Sequence, residues 1–189
     1  MNQNSLSQAL GENMHEPHDW FAKARRPVHV EQRLYQTSQV FQRLPPIDFR
    51  QGRDRGIPLS RVLDCTHQLP TSWNVSWTDA SKEEVGQKIS LRVNWVGYQD
   101  RAKQINVRHE THAGDAIPLS RLVKKLAESI RDIIEGLSVT TPSDKRFELA
   151  NASNNGIRFE DLELIRLDRV GKGSWQPTLI YVPHQQSRR

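Results

Sequence analysis

The chain has 189 residues and a net charge of +5, from 27 lysines and arginines against 22 aspartates and glutamates. Its single cysteine, Cys65, excludes a disulfide within the chain and suits a reducing compartment. No apolar run in the sequence approaches the ~20 residues that span a bilayer, and no secretory signal is visible. We expect a protein of phage or bacterial type that is cytoplasmic or assembled in a particle, and not secreted by a classical signal.

Residues 1–56 have the pattern of an extended N-terminal arm. Residues 1–19 are polar and aperiodic, which is typical of segments that cannot bury a core of their own. Apolar residues then recur three or four positions apart, and this spacing predicts one amphipathic helix over about 28–44. The pair Pro45-Pro46 ends that pattern.

The arm also carries the residues that we expect to bind a partner protein. Trp20 and Phe21 lie in a polar stretch, so burying their rings requires a partner or a groove on the rest of the molecule. Two arginines follow them, and the apolar stripe of the predicted helix completes the surface. The expected partner-binding residues are Trp20, Phe21, Arg25, Arg26, Leu34 and Phe41.

Residues 57–183 have the pattern of a compact domain, with a basic C-terminal tail at 184–189. A short predicted helix near its start is followed by alternation of apolar and polar residues over 72–77, 89–95 and 104–108. This alternation predicts an antiparallel β-meander with one polar face. We expect the tryptophans of these segments to pack in the core rather than to form a stacking surface for nucleic acid. They are Trp73, Trp77 and Trp95.

A long amphipathic helix is predicted from Leu119 to Leu137, because apolar residues recur three or four apart with charged residues opposite. Short strands are predicted after it, over 137–141, 146–150, 157–170 and 174–182. Pro177 indicates that the last strand lies at an edge or carries a bulge. The predicted fold is therefore α+β, with antiparallel hairpins packed against one long helix.

The pentapeptide IPLSR occurs twice, at 57–61 and at 117–121. The residues after the two copies differ in identity and in period, so an internal duplication is not supported. A shared ligand motif has no support beyond the repetition itself. We interpret both copies as the start of a core helix, in which proline fixes φ and the isoleucine packs against the helix.

No catalytic or cofactor signature is present, and we expect no cofactor, metal or catalytic residue. Cys65 and His67 could join His109 and His112 in a metal site, but their spacing is atypical and solvated histidines are the preferred interpretation. A metal-dependent enzyme is kept as a third hypothesis.

Two further functions remain open. The first is a non-enzymatic assembly or adaptor subunit of a larger complex, such as a phage particle or secretion-type machine, whose arm docks on other protein subunits or on copies of itself. The alternative is a nucleic-acid-binding component that contacts the backbone through basic segments in the arm and tail. The residues expected to do so are Arg50, Arg53, Arg55, Arg188 and Arg189. No membrane partner is expected.

Overall fold

The computed structural model describes residues 27–50, 56–64, 69–81, 86–109 and 114–182. These residues form one mixed sheet covered on one face by helices. The strands are β1 (Val28–His29), β2 (Ile47–Asp48), β3 (Ile57–Pro58), β4 (Lys88–Val93), β5 (Arg101–Asn106), β6 (Leu162–Gly171) and β7 (Ser174–Tyr181). The helices are α1 (Leu59–Leu63), α2 (Trp77–Ser81) and α3 (Leu119–Ser138), with 3₁₀ turns at Thr71–Asn74, Lys145–Phe147 and Phe159–Asp161.

The sheet has the order β2-β6-β7-β4-β5, and its pairs are antiparallel except that β4 runs parallel to β7. Strands β2 and β3 pair with the same edge of β6, β2 at Arg166 and Leu167 and β3 at Glu163 and Leu164. In the same way β4 and β1 pair with one edge of β7, β4 near its start and β1 near its end. β6 and β7 form a hairpin whose turn has Gly173 at a φ of 65°, a conformation that glycine adopts without strain.

Helix α3 provides most of the helical cover. It buries a continuous apolar stripe against β4, β5 and α1, while the side chains of Lys103 on β5 and Asp132 on α3 form an ion pair at the edge. The fully buried tryptophans Trp77, Trp95 and Trp175 fill the core, and the rings of Trp77 and Trp175 meet edge to face at 5.9 Å between centroids. The predicted α+β class, with a mostly antiparallel sheet packed against one long helix, is confirmed.

Both copies of IPLSR start a helix. Pro58 and Pro118 are the N-cap residues of α1 and α3, and both have extended backbone, with ψ angles of 122° and 155°. Ile57 and Ile117, the residues before them, are fully buried. The interpretation of the pentapeptide as a helix start is therefore confirmed, although neither cap involves a side-chain hydrogen bond.

The helix predicted over about 28–44 is wrong. Residues 28 and 29 form β1 and pair with β7, and none of residues 30–46 is helical. The Val30 N–H donates to the carbonyl of Leu179 at 3.0 Å, and the Arg33 N–H donates to that of Asn94 at 2.9 Å. These hydrogen bonds to β7 and to the end of β4 pair the backbone N–H groups of the segment. Such contacts between distant segments outweigh the weak helical spacing of its apolar residues.

Other predicted strands are also wrong. Residues 71–74 form a 3₁₀ turn and α2 begins at Trp77, so the alternation over 72–77 does not mark a strand. Segment 137–141 contains the end of α3, and 146–150 contains a turn and an isolated bridge at Leu149. The strand predicted over 174–182 is present as β7, but it is central rather than at an edge. The alternative given for it, a bulge, is met in its pairing with β6, which shifts register between Leu164 and Arg166 and again between Arg169 and Gly171.

Candidate functional site

The face of the sheet opposite α3 is polar. On β4, Ile89, Leu91 and Val93 are buried towards the helix, whereas the alternate residues Ser90 and Arg92 lie on the other face. Residues with the same orientation on the neighbouring strands extend this surface, which we call the outer face. They are Gln104 on β5, Ser174, Gln176 and Thr178 on β7, and Arg166 and Asp168 on β6.

The segment that follows β1, residues 30–44, crosses this outer face and is attached to it by side-chain amides. The Gln176 side chain is buried, and its oxygen accepts from the Tyr35 N–H at 3.2 Å while its nitrogen donates to the Arg33 carbonyl at 2.9 Å. The Gln32 side chain donates to the Pro177 carbonyl at 2.6 Å. These bonds replace a backbone ladder where the segment leaves the sheet.

Further along, charged side chains hold the segment. The Arg92 guanidinium stacks on the Tyr35 ring, with its central carbon 4.0 Å from the ring centroid. Arg169 donates to the Gln42 carbonyl at 2.6 Å and lies 5.9 Å from the centre of the Phe41 ring. The segment is therefore anchored near both ends.

A groove of about 730 Å³ lies between this segment and strands β6 and β7. We call it the arm groove. Leu34, Phe41 and Leu44 line one side, and Val170 and Pro177 line the other. The polar part of its floor is a small network in which Asp168 accepts from Arg166 at 2.9 Å and from Thr178 at 3.0 Å. The groove thus combines several apolar side chains with a polar floor in which Asp168 is paired with Arg166.

A second cavity, of about 480 Å³, lies between residues 35–39 and the ends of β4 and β7. We call it the polar pocket. Its walls are almost entirely polar, and the cationic side chains that line it are Arg92 and Lys172. Gly171 permits the close approach of the segment, because a Cβ at that position would lie 3.3 Å from the Tyr35 ring.

The structure brings together two of the residues expected to bind a partner, Leu34 and Phe41, at the arm groove. Trp20, Phe21, Arg25 and Arg26 lie outside the described residues. Leu34 is 69% exposed and Val40, which the sequence pattern did not single out, is fully exposed.

Of the basic residues expected to contact nucleic acid, the structure describes Arg50. Its guanidinium hydrogen-bonds the Asp48 carboxylate, and this interaction holds the pKa of Asp48 below its ordinary value. The other four lie outside the described residues; they are Arg53, Arg55, Arg188 and Arg189. The nucleic-acid alternative based on these arginines stays a prediction.

The structure describes one of the four side chains weighed as metal ligands, so the grouping itself is not tested. His109 is described, whereas Cys65, His67 and His112 lie outside it. Within the described ranges, no cluster of three or more His, Cys, Asp or Glu side chains could hold a metal ion.

Sequence reasoning missed the two glutamines, Gln32 and Gln176, and the role of Arg92. Alternation along β4 did indicate that Arg92 points away from the core. A similar signal exists in β7, where Ser174, Gln176 and Thr178 occupy alternate positions. The local sequence of β7 does not indicate that residues 30–44 cross the outer face, because that segment is more than 130 residues away in sequence from Gln176.

In the described part of the chain, no helix has both the length and the apolar character needed to cross a membrane. Comparison of the chain with protein-family models, with curated proteins and with solved structures found no match.

Proposed function

We propose that this chain is a non-enzymatic assembly or adaptor subunit, and that residues 34–44 and the arm groove dock on other protein subunits. The observation that carries the proposal is the exposure of apolar side chains along this one segment. Leu34 and Val40 project into solvent, and Phe41 and Leu44 beside them line the groove. Apolar surface gathered next to a groove is typical of protein-interaction sites.

The way the segment is attached supports a docking role. Its backbone is held by Gln176 near the start and by Arg169 near the end. Of the residues between these anchors, Thr37 and Phe41 are half-buried and the others are exposed. A partner that binds such a surface orders fewer groups than one that binds an unattached peptide, and therefore pays a smaller entropic cost.

The lining of the groove indicates the chemistry of the partner. Its apolar walls suit an aliphatic or aromatic side chain, and the exposed Arg43 at its rim suits a carboxylate or a backbone carbonyl. A particle or a secretion-type machine built from several protein subunits would supply such a partner. A second copy of this chain would fit the same description if its own exposed segment is the occupant.

The proposal is tested by a double substitution, Leu34→Ser with Val40→Ser, in the tagged full-length chain. Val139→Ser is the matched control, because Val139 is also exposed, at 81%, but lies outside the segment and the groove. Proteins that co-purify with the wild type should be lost with the double variant and kept with the control. Sedimentation velocity on the same three proteins reports whether a lost partner is a second copy. Equal recovery of every partner by all three proteins would contradict the proposal.

A further inference from the structure

The polar pocket contains cations without carboxylate partners. Within the described part of the chain, neither Arg92 nor Lys172 forms an ion pair, and no aspartate or glutamate lines the pocket. Two positive charges are therefore directed into a cavity that has no fixed negative charge on its walls. An arrangement of this kind attracts an anion.

Arg92 is held in position by contacts that leave its terminal nitrogens available. Its guanidinium stacks on Tyr35, and its Nε lies 3.4 Å from the Ser174 Oγ. No described residue accepts a hydrogen bond from its two terminal nitrogens. A guanidinium that is held through one face and through Nε can still donate hydrogen bonds from its two terminal nitrogens to a tetrahedral anion.

Two serine hydroxyls complete the donor set. Ser90 and Ser174 are register partners across the parallel pair of β4 and β7, so their side chains lie next to each other on the outer face. The Ser90 oxygen accepts from the Gln104 amide at 2.6 Å, and the Ser174 oxygen faces the Arg92 Nε. Neither hydroxyl donates to another group in the described part of the chain, so each hydroxyl proton is available to a ligand.

We propose that the polar pocket binds a phosphate group through Arg92, Lys172, Ser90 and Ser174. A phosphate oxygen accepts from the guanidinium fork, and the two hydroxyls donate to the remaining oxygens. Lys172, in the turn between β6 and β7, supplies a second positive charge from the exposed side. Residues 35–37 border both the arm groove and the polar pocket, but the four residues that would bind phosphate lie outside the docking segment 34–44. Substitutions at those four residues therefore test phosphate binding without changing the docking segment, so either proposal can fail without the other.

The ligand could be free phosphate or a phosphodiester in single-stranded nucleic acid, and two titrations separate these sources. In the first, sodium phosphate is added to the ¹⁵N-labelled full-length protein at constant ionic strength maintained with chloride. We expect saturable shifts of the backbone amides of Ser90, Arg92 and Ser174. In the second, the anisotropy of a fluorescent ten-nucleotide strand is followed. Tighter binding of the strand than of phosphate identifies nucleic acid as the source, and phosphate binding alone identifies the free anion.

The matched variants are Arg92→Ala and Arg121→Ala. Both remove one positive charge, but Arg121 is exposed on α3, on the other side of the sheet. We expect Arg92→Ala to weaken binding by about tenfold or more, because a charge-assisted fork is lost, and Arg121→Ala to bind as the wild type does. If Arg92→Ala does not fold, Lys172→Ala serves instead, since Lys172 is exposed in a turn. Equal affinity of the pocket variants and the Arg121 control, or no saturable binding of either ligand by the wild type, would overturn the proposal.

Discussion

The side-chain amide of Gln32 donates to the backbone carbonyl of Pro177 at 2.6 Å, across 145 positions in sequence. Pro177 lies in a central strand, although proline lacks the N–H that a ladder requires. It is tolerated because neither β1 nor β4 pairs with β7 at that residue. The Gln32 oxygen meanwhile accepts from the Asn94 N–H at 3.3 Å. One side chain thus joins β7 to the end of β4 where backbone pairing is interrupted.

We expect Gln32→Ala to lower the free energy of unfolding by about 1–3 kcal/mol, because the Pro177 carbonyl and the Asn94 N–H both lose a partner in a partly buried place. Gln42→Ala is the control, since the Gln42 side chain is exposed in the same segment and only its carbonyl is used. Urea unfolding of both variants measures the difference. Equal midpoints for the two variants would show that the Gln32 bridge contributes nothing to stability.

Substitutions of glycine by alanine should have opposite effects at two positions. At Gly56, an added Cβ would lie 2.4 Å from the Leu164 carbonyl oxygen, so β3 would have to move away from β6. We expect a loss of about 1–3 kcal/mol there. At Gly136, which is exposed within α3 and has open space around it, alanine should stabilise the fold by up to about 1 kcal/mol. Thermal unfolding of both variants is the measurement, and a stable Gly56→Ala protein would contradict the close packing of β3 on β6.

Tyr98 connects the loop after β4 to the segment after α3. Its hydroxyl oxygen accepts from the buried Leu149 N–H at 2.9 Å. Tyr98→Phe leaves that N–H without its acceptor, and we expect a loss of about 1–3 kcal/mol. Tyr35→Phe should have little effect, because it keeps the ring under Arg92 and removes a hydroxyl that has no hydrogen-bond partner among the described residues.

Burial also raises the pKa of Tyr98 above its ordinary value of 10.0. A pKa that is higher in the folded state favours the neutral phenol there, so its contribution to stability is present below pH 10 and is lost as the pH rises through the raised value. Urea unfolding between pH 9 and pH 12 should therefore show a smaller alkaline loss for Tyr98→Phe than for the wild type. An identical alkaline slope for both proteins would contradict the assignment.

The boundary between arm and compact domain, expected at Gly56, can be tested by two truncations. Val30, Ile47 and Phe49 precede that boundary and are buried in the same core as α3 and the long strands. Fully burying each of these side chains contributes about 1.5–3 kcal/mol, and a domain of this kind has about 5–15 kcal/mol in total. We expect residues 27–189 to unfold cooperatively and residues 57–189 not to do so. Cooperative unfolding of 57–189 would establish Gly56 as the boundary of an independent domain.

The elements that could be predicted from sequence are those in which the spacing of apolar residues matches the side that faces the core. Helix α3 packs against the core along its whole apolar stripe, so the spacing of apolar residues from Leu119 to Leu137 predicts both the helix and its buried face. Strand β4 has a core on one side only, and its alternation predicted both its conformation and the outward position of Arg92.

The segments whose conformation was predicted wrongly are those that depend on contacts distant in sequence. Residues 28–44 and 71–77 take their conformation from distant partners, namely Leu179 and Asn94 for the first and Ile117 for the second, where the Trp77 N–H donates at 3.2 Å. A short periodic pattern contains no information about such partners. The spacing of apolar residues places Leu34 and Phe41 on one stripe of a predicted helix. They meet at one groove for another reason, which is that an extended chain lies across the outer face.

The claim that residues 34–44 form a docking surface is tested most directly by crosslinking in the native cell. A photoreactive amino acid is placed at Val40 in one protein and at Val139 in another, since both positions are strongly exposed and only Val40 belongs to the segment. We predict a discrete crosslinked adduct from position 40, which mass spectrometry identifies as a protein subunit or a second copy of this chain, and no such adduct from position 139. The same adducts from both positions, or none from position 40, would contradict the claim.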